Sequence, residues 1–506
     1  MGQETTIVVG MNVLFFALII FILYRSYQKE HTFTEYAVGG RSFGPWYIAM
    51  SYVNSWFPGT MFISFLGLGV AAGVVGLYVL SYSLIGVTTM YYMATRAWNW
   101  GQAFNLRTQP DMLGLRFGSP TVKVLASVIG VVSLFPWVIL SMQSLGVLFD
   151  FMTYQQLGTT ASLILGVGVI VVRQYWTVRM GMRGLVITDL FQGFVAYIVC
   201  SVMIVVLMSV FFDGLTAIRS LNESMWRLPG DGGTYGIWYF SAITFTGIVG
   251  SLCWPTSYQR IYTASSVRNV KLGTLLAMPI IGVFATLLLF VSFSMATLPD
   301  VAASPQNGWF ITAIDAGGPW LLGLACMIVF AAAMGWIDGC IQVSGTQLSN
   351  DIIGNFKELS DKQLTAIAKA SMVGFLVLGA VVAYVAYDEP KLVNLAIISY
   401  QGVVQLAVPL FGGLFWRRGT REGAIVGMIV GFVLALILTA IYPDNIPGLG
   451  GLTAGMPALA VNLLLFLGLS VLRPQSAEER ARVDELFLKG ERSLRKVPAA
   501  PSGALQ

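Results

Sequence analysis

Charged residues, histidine and cysteine are all scarce in this chain. Charged side chains make up 10% of the 506 residues and the hydrophobic set makes up 56%, whereas a soluble protein carries about 25% charged residues. His31 is the single histidine, so neither a Ser-His-Asp triad nor a histidine-ligated metal centre is expected. The cysteines lie inside apolar runs, without zinc-site or disulfide spacing, and are expected to pack in the core. They are Cys200, Cys253, Cys326 and Cys340.

Features of several other protein classes are missing as well. The net charge of +5 is not gathered into a basic, aromatic-interleaved patch, so nucleic acid is not an expected partner. No nucleophile–base pair and no metal cluster stands out, which makes an enzyme the least favoured class. The first apolar run lacks a basic segment before it and a small-residue cleavage site before Arg25. It is therefore expected to be retained as a helix rather than removed as a signal peptide.

Long apolar runs dominate the chain instead. Thirteen of them are candidates for helices that cross a bilayer, which takes about 20 residues each. They lie at 7–24, 46–72, 76–94, 122–148, 159–172, 185–211, 237–257, 273–297, 320–345, 370–387, 392–411, 423–441 and 455–472. The sequence thus predicts an all-α polytopic membrane protein of the cytoplasmic (inner) membrane, with a transmembrane domain over residues 1–473 and a partly disordered cytoplasmic tail over 474–506.

The distribution of lysine and arginine predicts the orientation of these spans. If the N-terminus is outside, all but three of the 29 basic residues fall in cytoplasmic loops or in the tail, as the positive-inside rule requires. The exceptions are Arg219, Arg227 and Lys391. The same count leaves no basic residue for the membrane interior. The carboxylates Asp189 and Asp338 are therefore expected to lie in the core without a fixed counter-charge.

These two carboxylates are the main candidates for function. An ionisable group at the centre of a membrane helix costs at least about 2.5 kcal/mol, so it is expected to face protein or a water-filled cavity. The helical face of Asp338 carries small or polar residues such as Ala331 and Gln342. A bound cation, a proton or the amine of a solute would balance the charge. The alternative is an aspartate hydrogen-bonded to neighbouring helices.

Two of the predicted spans contain helix-breaking residues. The second has Pro58 followed by Gly59, and the seventh has Gly247, Gly250 and Pro255. Broken helices at membrane depth are tolerated where they line a cavity. Because these two spans lie five apart, they predict a five-plus-five inverted repeat, with its core over about 45–411 and a solute site between the breaks. The alternative is two ordinary kinks.

Three stretches of the sequence resemble the sodium:solute symporter family. They are YAVGGRSFG at 36–44, GLFWRRGTREGAIVGMIVGF at 413–432, and the run from AAAM at 331–334 to SND at 349–351. The resemblance covers nearly the whole chain. It implies a LeuT-type fold, with ten core helices preceded by one extra N-terminal helix and followed by two extra C-terminal helices, which makes 13 transmembrane helices in all.

The resemblance also implies a sodium site, from which this chain departs. The matching backbone carbonyls are those near Asn54, Phe57 and Ala332, and Asp189 matches an acidic position that some members place beside the site. The family's two adjacent hydroxyl residues after A-A-x-M are replaced here by Gly335-Trp336, which supply no side-chain oxygen. Asp338, one turn further on, is expected to substitute for them.

The family places its solute contacts in the second, seventh and eleventh spans. The matching residues are Trp56, Gly59, Thr60, Gly247, Ser251, Trp254, Tyr400, Gln401 and Gln405. Gly247 and Ser251 stand where relatives carry aromatics, which predicts either a larger pocket or one filled by Trp56. Each residue has a plainer alternative, because aromatics at helical spacing commonly pack and an intramembrane glutamine commonly links helices.

Together these features predict a cation-coupled secondary active symporter that imports a small organic solute, such as an amino acid or amine, by alternating access. The coupling ion is expected to be sodium, or a proton that titrates Asp338, and no other cofactor is expected. Two alternatives stay open: a monocarboxylate symporter, whose solute could be held by half-helix N-termini, and a transporter-like solute sensor. The lipid bilayer and the solute are the expected partners of a monomer.

Overall fold

The computed structural model describes residues 2–228, 236–387 and 399–491, and these are almost entirely helical. The helices are α1 Gln3–Ser26, α2 Phe33–Val38, α3 Pro45–Asn54, α4 Ser64–Ala72, α5 Leu77–Ala103, α6 Gln109–Phe117, α7 Pro120–Met152, α8 Thr159–Gly193, α9 Cys200–Val206, α10 Tyr239–Gly250, α11 Pro255–Thr263, α12 Val267–Met295, α13 Pro299–Ala303, α14 Gly308–Gln347, α15 Gly354–Phe356, α16 Asp361–Val385, α17 Ala407–Phe415, α18 Arg421–Ile441, α19 Gly455–Leu472 and α20 Ala477–Glu491.

Nine helical stretches of the described chain are long and apolar enough to cross a membrane. Large apolar side chains on these stretches point outward, among them Leu14, Val171, Val385 and Leu472. Such a continuous apolar exterior is stable in lipid and not in water, so the chain is a multi-pass membrane protein. The predicted count of 13 helices stays a prediction, in part because the start of the eleventh run, 392–398, lies outside the described residues.

Both predicted helix breaks are present. In the second span α3 ends at Asn54, and a short 3₁₀ turn, Gly59–Phe62, precedes α4. Pro58 has no N–H and adopts an extended conformation with φ −69° and ψ 163°, which cannot continue α3. In the seventh span α10 ends at Gly250 and α11 begins with Pro255, the residue best suited to the first position of a helix.

A sharp turn at Gly181 divides α8. The runs at 159–172 and 185–211 were expected to be separate spans joined by a basic cytoplasmic loop, and Gly181, with its non-helical backbone, separates two helical segments of α8. Arg173 Nη2 lies 2.9 Å from Thr188 Oγ1, so the chain turns back at this point. Gly181 has φ +56°, and a Cβ there would lie 2.4 Å from the carbonyl oxygen of Tyr36. Only glycine fits this conformation and this close approach. The turn brings the second segment of α8, with Asp189, into contact with α3.

Helices also lie outside the predicted spans. The loop 299–319 carries α13 and the start of α14, which is broken at Gly317 and Gly318. The tail carries α20, which packs against α5 and α6. Trp100 Nε1 donates to the Leu486 carbonyl at 2.8 Å, and Arg482 Nη1 donates to the Leu115 carbonyl at 2.7 Å. The predicted disordered end, from 492, lies outside the described residues.

Candidate functional site

A cluster of four buried charges lies where α3, α8, α11 and α14 meet. Asp189 of α8 pairs with Arg260 of α11, with 3.4 Å between Oδ2 and Nη2. Asp338 of α14 pairs with Arg173 of α8, with 2.5 Å between Oδ2 and Nη2. All four side chains are at most 1% exposed. Burial of a charge is tolerated when it is paired and hydrogen-bonded in this way.

These pairs correct one prediction. The interior carboxylates were expected to lack a fixed counter-charge, because Arg173 and Arg260 were assigned to cytoplasmic loops. Helix α8 continues past the apolar run that ends at 172, and α11 begins inside the protein at Pro255. Both arginines therefore lie on buried helix faces. Pro255 was the one sequence feature that indicated a helical position for Arg260, because a new helix that starts at 255 includes residue 260.

Asp189 is held by hydrogen bonds from α3 as well as by the arginine. Asn54 Nδ2 donates to its Oδ1 at 2.8 Å, and the Ser51 hydroxyl donates to its Oδ2. Ser51 Oγ also accepts a hydrogen bond from Arg260 Nε at 2.9 Å, so it bridges the ion pair. Residues 51 and 54 are one turn apart on α3 and present both groups to the same carboxylate.

The side chain of Asn54 fills the space beside Gly335. A Cβ on Gly335 would lie 1.9 Å from Asn54 Nδ2 and 2.5 Å from its Cγ, so only glycine permits this packing. The Tyr197 hydroxyl donates to Asn54 Oδ1 at 3.0 Å and lies 2.8 Å from the carbonyl oxygen of Phe57. Neither Ser51 nor Tyr197 was identified from the sequence.

The sodium ligands that the family resemblance implies are therefore incomplete here. The first hydroxyl position is Gly335, whose space is taken by the carboxamide of Asn54. The second is Trp336, whose ring packs against Trp137 with 6.0 Å between centroids. The Phe57 carbonyl oxygen lies 2.8 Å from the Tyr197 hydroxyl. A hard cation needs several oxygen ligands at once. Positions 335 and 336 supply no side-chain oxygen, and an ion site at the carbonyls near Asn54, Phe57 and Ala332 stays a prediction.

Asp338 is directed toward α8 rather than toward the break in the second span. Its Oδ1 accepts a hydrogen bond from Gln174 Nε2, while Arg173 also donates to Thr177 Oγ1 and to Thr188 Oγ1, each at 2.9 Å. A direct role of Asp338 in ion coupling stays a prediction. In the structure it pairs with Arg173.

Several of the predicted solute residues lie together in one aromatic group. Trp56 packs between Tyr52 and Tyr82, with centroid separations of 6.0 Å and 5.5 Å. Trp254 lies 5.3 Å from Tyr400, and Tyr400 lies 6.4 Å from Tyr82. These contacts connect the two broken spans through α5.

The small residues of the two breaks serve as packing surfaces for α5 and α14. A Cβ on Gly247 would lie 2.6 Å from the ring of Tyr82, so Tyr82, and not Trp56, fills the space beside Gly247. Ser251 Oγ lies 3.0 Å from Thr89 Oγ1. Gly59 packs against α14, where its Cβ would meet Ala333 Cβ at 2.7 Å. Thr60 Oγ1 is 3.0 Å from Ser64 Oγ.

The structure does not bring Gln401 and Gln405 to this group. Gln401 Oε1 accepts a hydrogen bond from the Gly455 amide at 2.6 Å. Gln405 Nε2 donates to the Gly455 carbonyl at 3.3 Å, and Asn462 Nδ2 donates to the Gln405 carbonyl at 2.8 Å. Both glutamines thus link the segment before α17 to α19, which is the plainer of the two roles considered from the sequence.

A helical membrane protein with two broken spans, joined by aromatics and backed by buried ion pairs, has the architecture of a secondary transporter. Comparison with known proteins makes the class specific. The sequence model of the sodium:solute symporter family matches residues 36–431. The chain belongs to this family of cation-coupled symporters, which are transporters and not enzymes.

Relatives agree with this assignment. The high-affinity proline transporter PutP of Bacillus subtilis (strain 168) is 24% identical over 433 residues, 79% of this chain and 86% of its own length. The uncharacterized symporter YodF of the same organism is 24% identical over 439 residues, 83% of this chain and 85% of its own length. For the uncharacterized symporter YhjB, at 22% identity, the match spans 58% of this chain and 60% of that relative.

Solved structures show the same fold. A Na⁺-coupled sialic acid symporter in a substrate-bound outward-open state superposes with a TM-score of 0.76 at 14% identity, covering 94% of this chain and 99% of that one. The nucleobase-cation-symport-1 family transporter MHP1, in a closed conformation with bromovinylhydantoin bound, gives a TM-score of 0.56 at 14% identity, covering 91% of this chain and all of that one.

Proposed function

We propose that this protein is a secondary active symporter that imports a small organic solute by alternating access, with an amino acid as the leading solute class. The observation that carries the proposal is the meeting of both helix breaks at one point on α5. A Cβ on Gly86 would lie 3.0 Å from Ser251 and 3.6 Å from the Trp56 ring. A solute between these breaks would contact both halves of the proposed repeat.

The ion pairs change the argument about the solute. Two unpaired carboxylates would favour a cationic amine, but Asp189 and Asp338 are both neutralised by arginines. The aromatic group of Trp56, Tyr82, Trp254 and Tyr400 instead suits a neutral or zwitterionic molecule. The ends of α3 and α11 add backbone polarity, since a helix N-terminus favours a carboxylate and a helix C-terminus favours an ammonium group. The proline transport of one relative supports the same class.

The test is solute-induced current in liposomes that contain the purified protein. Amino acids, amines and monocarboxylates would be compared, with sodium replaced by choline and with the pH stepped on one side. We expect amino-acid currents that follow a sodium or a proton gradient. Currents for monocarboxylates alone would favour the alternative solute class. Solute binding without accumulation would favour a sensor.

The orientation proposed from the basic residues is N-terminus outside and C-terminus cytoplasmic, in the cytoplasmic membrane. Because all four native cysteines are buried, single exposed cysteines can report on it. In intact cells, a membrane-impermeant maleimide should label Asp444→Cys and should label His31→Cys only after permeabilisation; both positions are exposed. The reverse labelling pattern would indicate the opposite orientation, with the N-terminus in the cytoplasm.

A further inference from the structure

The region between α3, α8 and α14 where the family resemblance places a cation is filled by two side chains of this chain. The carboxamide of Asn54 takes the space beside Gly335. One turn further along α14, the guanidinium of Arg260 lies against Gly339, where a Cβ would be 3.4 Å from Arg260 Nη2. A permanent positive charge therefore stands beside Asp189.

The contacts of this guanidinium are of the kind that a small hard cation makes. Arg260 Nε donates to the Ser51 hydroxyl oxygen and Nη1 donates to the Thr256 carbonyl, each at 2.9 Å. Its Nη2 donates to Asp189 Oδ2 at 3.4 Å. One hydroxyl, one carbonyl and one carboxylate thus converge on a single positive group. Oxygen ligands of these three types are what hard cations prefer.

We propose that Arg260 is a tethered cation that replaces sodium at this position, so that sodium does not bind between α3, α8 and α14. The inference rests on the proposed function, because it concerns how the transporter is coupled. Arg260 belongs to α11, the second half of a broken span, so its charge stays attached to that half-helix and cannot leave the protein. A sodium ion at the same position could be released to the solvent.

The test is the melting temperature of the purified protein in sodium chloride and in choline chloride at equal concentration. The wild-type protein should melt at the same temperature in both salts. Arg260→Ala removes the guanidinium and leaves the three oxygens facing a gap. It should melt lower than wild type in choline and gain about 5 °C or more at saturating sodium, because a ligand that binds only the folded state stabilises it.

Three further variants make the result specific. Arg260→Lys keeps a positive charge and should show no response to sodium. Arg260→Ala combined with Asp189→Asn removes the carboxylate ligand and should lose the response. Arg116→Ala is the matched control, because Arg116 is equally buried but donates to backbone carbonyls, including those of Gly413 and Trp416. Its melting temperature should not depend on sodium.

Two outcomes would overturn the proposal. One is a wild-type protein that sodium stabilises and that loses this response in Asp189→Asn. The other is a folded Arg260→Ala protein that melts identically in both salts. If Arg260→Ala does not fold, the proposal is tested by wild type and Arg260→Lys, and a sodium-dependent rise in the melting temperature of either would contradict it. Uptake that fails for every solute would contradict the transport function alone, since the melting experiments measure ion binding without transport.

Discussion

Asn54 and Gly335 are packed so closely that the glycine cannot acquire a side chain without displacing the asparagine. A Cβ on Gly335 would lie 1.9 Å from Asn54 Nδ2. Gly335→Ala should therefore destabilise the protein by about 1–3 kcal/mol through overpacking. In an Asn54→Ala background this penalty should shrink, because the two residues interact directly. Thermal unfolding of the four proteins measures the coupling.

Gly374→Ala is the control for that cycle. Gly374 lies in α16, and a Cβ there would meet no atom within 4 Å. The substitution should be neutral or stabilise by up to about 1 kcal/mol, since alanine is the better helix former. Equal losses at 335 and 374 would contradict the packing that is described for Asn54.

Neutralising Asp338 should be far more damaging than neutralising an exposed aspartate. Asp338→Asn leaves Arg173 buried without its partner, which costs about 3–5 kcal/mol. Replacing both members, as Arg173→Met with Asp338→Leu, should recover much of the loss. Asp300→Asn, at an exposed position of α13, should change the stability by less than about 0.5 kcal/mol. Unfolding by heat in detergent is the measurement.

The same variant tests the predicted coupling role of Asp338. If Asp338 takes part in coupling, uptake by folded Asp338→Asn should lose its dependence on the pH or sodium gradient. Concentrative uptake with unaltered dependence on both would remove Asp338 from the coupling mechanism and leave it as a structural partner of Arg173.

Trp254→Ala should weaken the apparent affinity for solute by about tenfold, or ~1.4 kcal/mol, because a large aromatic surface beside Tyr400 is lost. Trp320→Ala is the matched control, since Trp320 is 65% exposed on the outer face of α14. The apparent affinity of each variant is obtained from the concentration dependence of solute uptake in liposomes. A Trp254 variant with unchanged affinity would place the solute elsewhere.

Gln405→Ala should lower stability and leave the apparent affinity for solute unchanged. The change removes the donor to the Gly455 carbonyl and the side-chain oxygen that lies 3.2 Å from Asn462 Nδ2. Loss of these buried hydrogen bonds costs about 1–3 kcal/mol. The melting temperature and the concentration dependence of uptake, measured on one preparation, test this prediction. A change in affinity without a change in melting temperature would indicate that Gln405 contacts the solute.

Glu30, which lies outside the membrane spans, should make the stability of the protein depend on pH. Partial burial between α1 and α2 raises the pKa of Glu30 from 4.5 to about 7, against the opposing charges of Lys369 and Arg183. Because the folded state disfavours the charged form, this contribution to stability is complete below pH 4.5 and is lost as the pH rises through about 7. Relative to wild type, Glu30→Gln should therefore gain stability across that window.

A pH series of melting temperatures for wild type and Glu30→Gln checks this expectation. Glu358→Gln, at an exposed position, should run parallel to wild type throughout. Parallel curves for wild type and Glu30→Gln would show that the pKa of Glu30 is not raised in the folded protein.

Local features of the sequence were sufficient to predict a multi-pass helical membrane protein, its two helix breaks and its family. Apolar runs predict membrane helices because the bilayer core has a set thickness. Pro58 and Pro255 predict breaks because proline has no N–H, wherever the rest of the chain lies. The sequence alone also shows that Gly335 and Trp336 carry no hydroxyl group. It therefore predicts that the sodium site differs from the one that the family resemblance implies.

The partners of the buried charges were decided only by the tertiary structure. Asp338 meets Arg173, and Asp189 meets Arg260, because the chain turns back at Gly181 within α8 and α11 begins inside the protein. Each pair joins residues far apart in the chain, so no local pattern encodes it. Gln405 likewise turns toward Gly455 because of how α17 and α19 pack. A residue's type limits the bonds it can form, but the arrangement of the helices selects its partner.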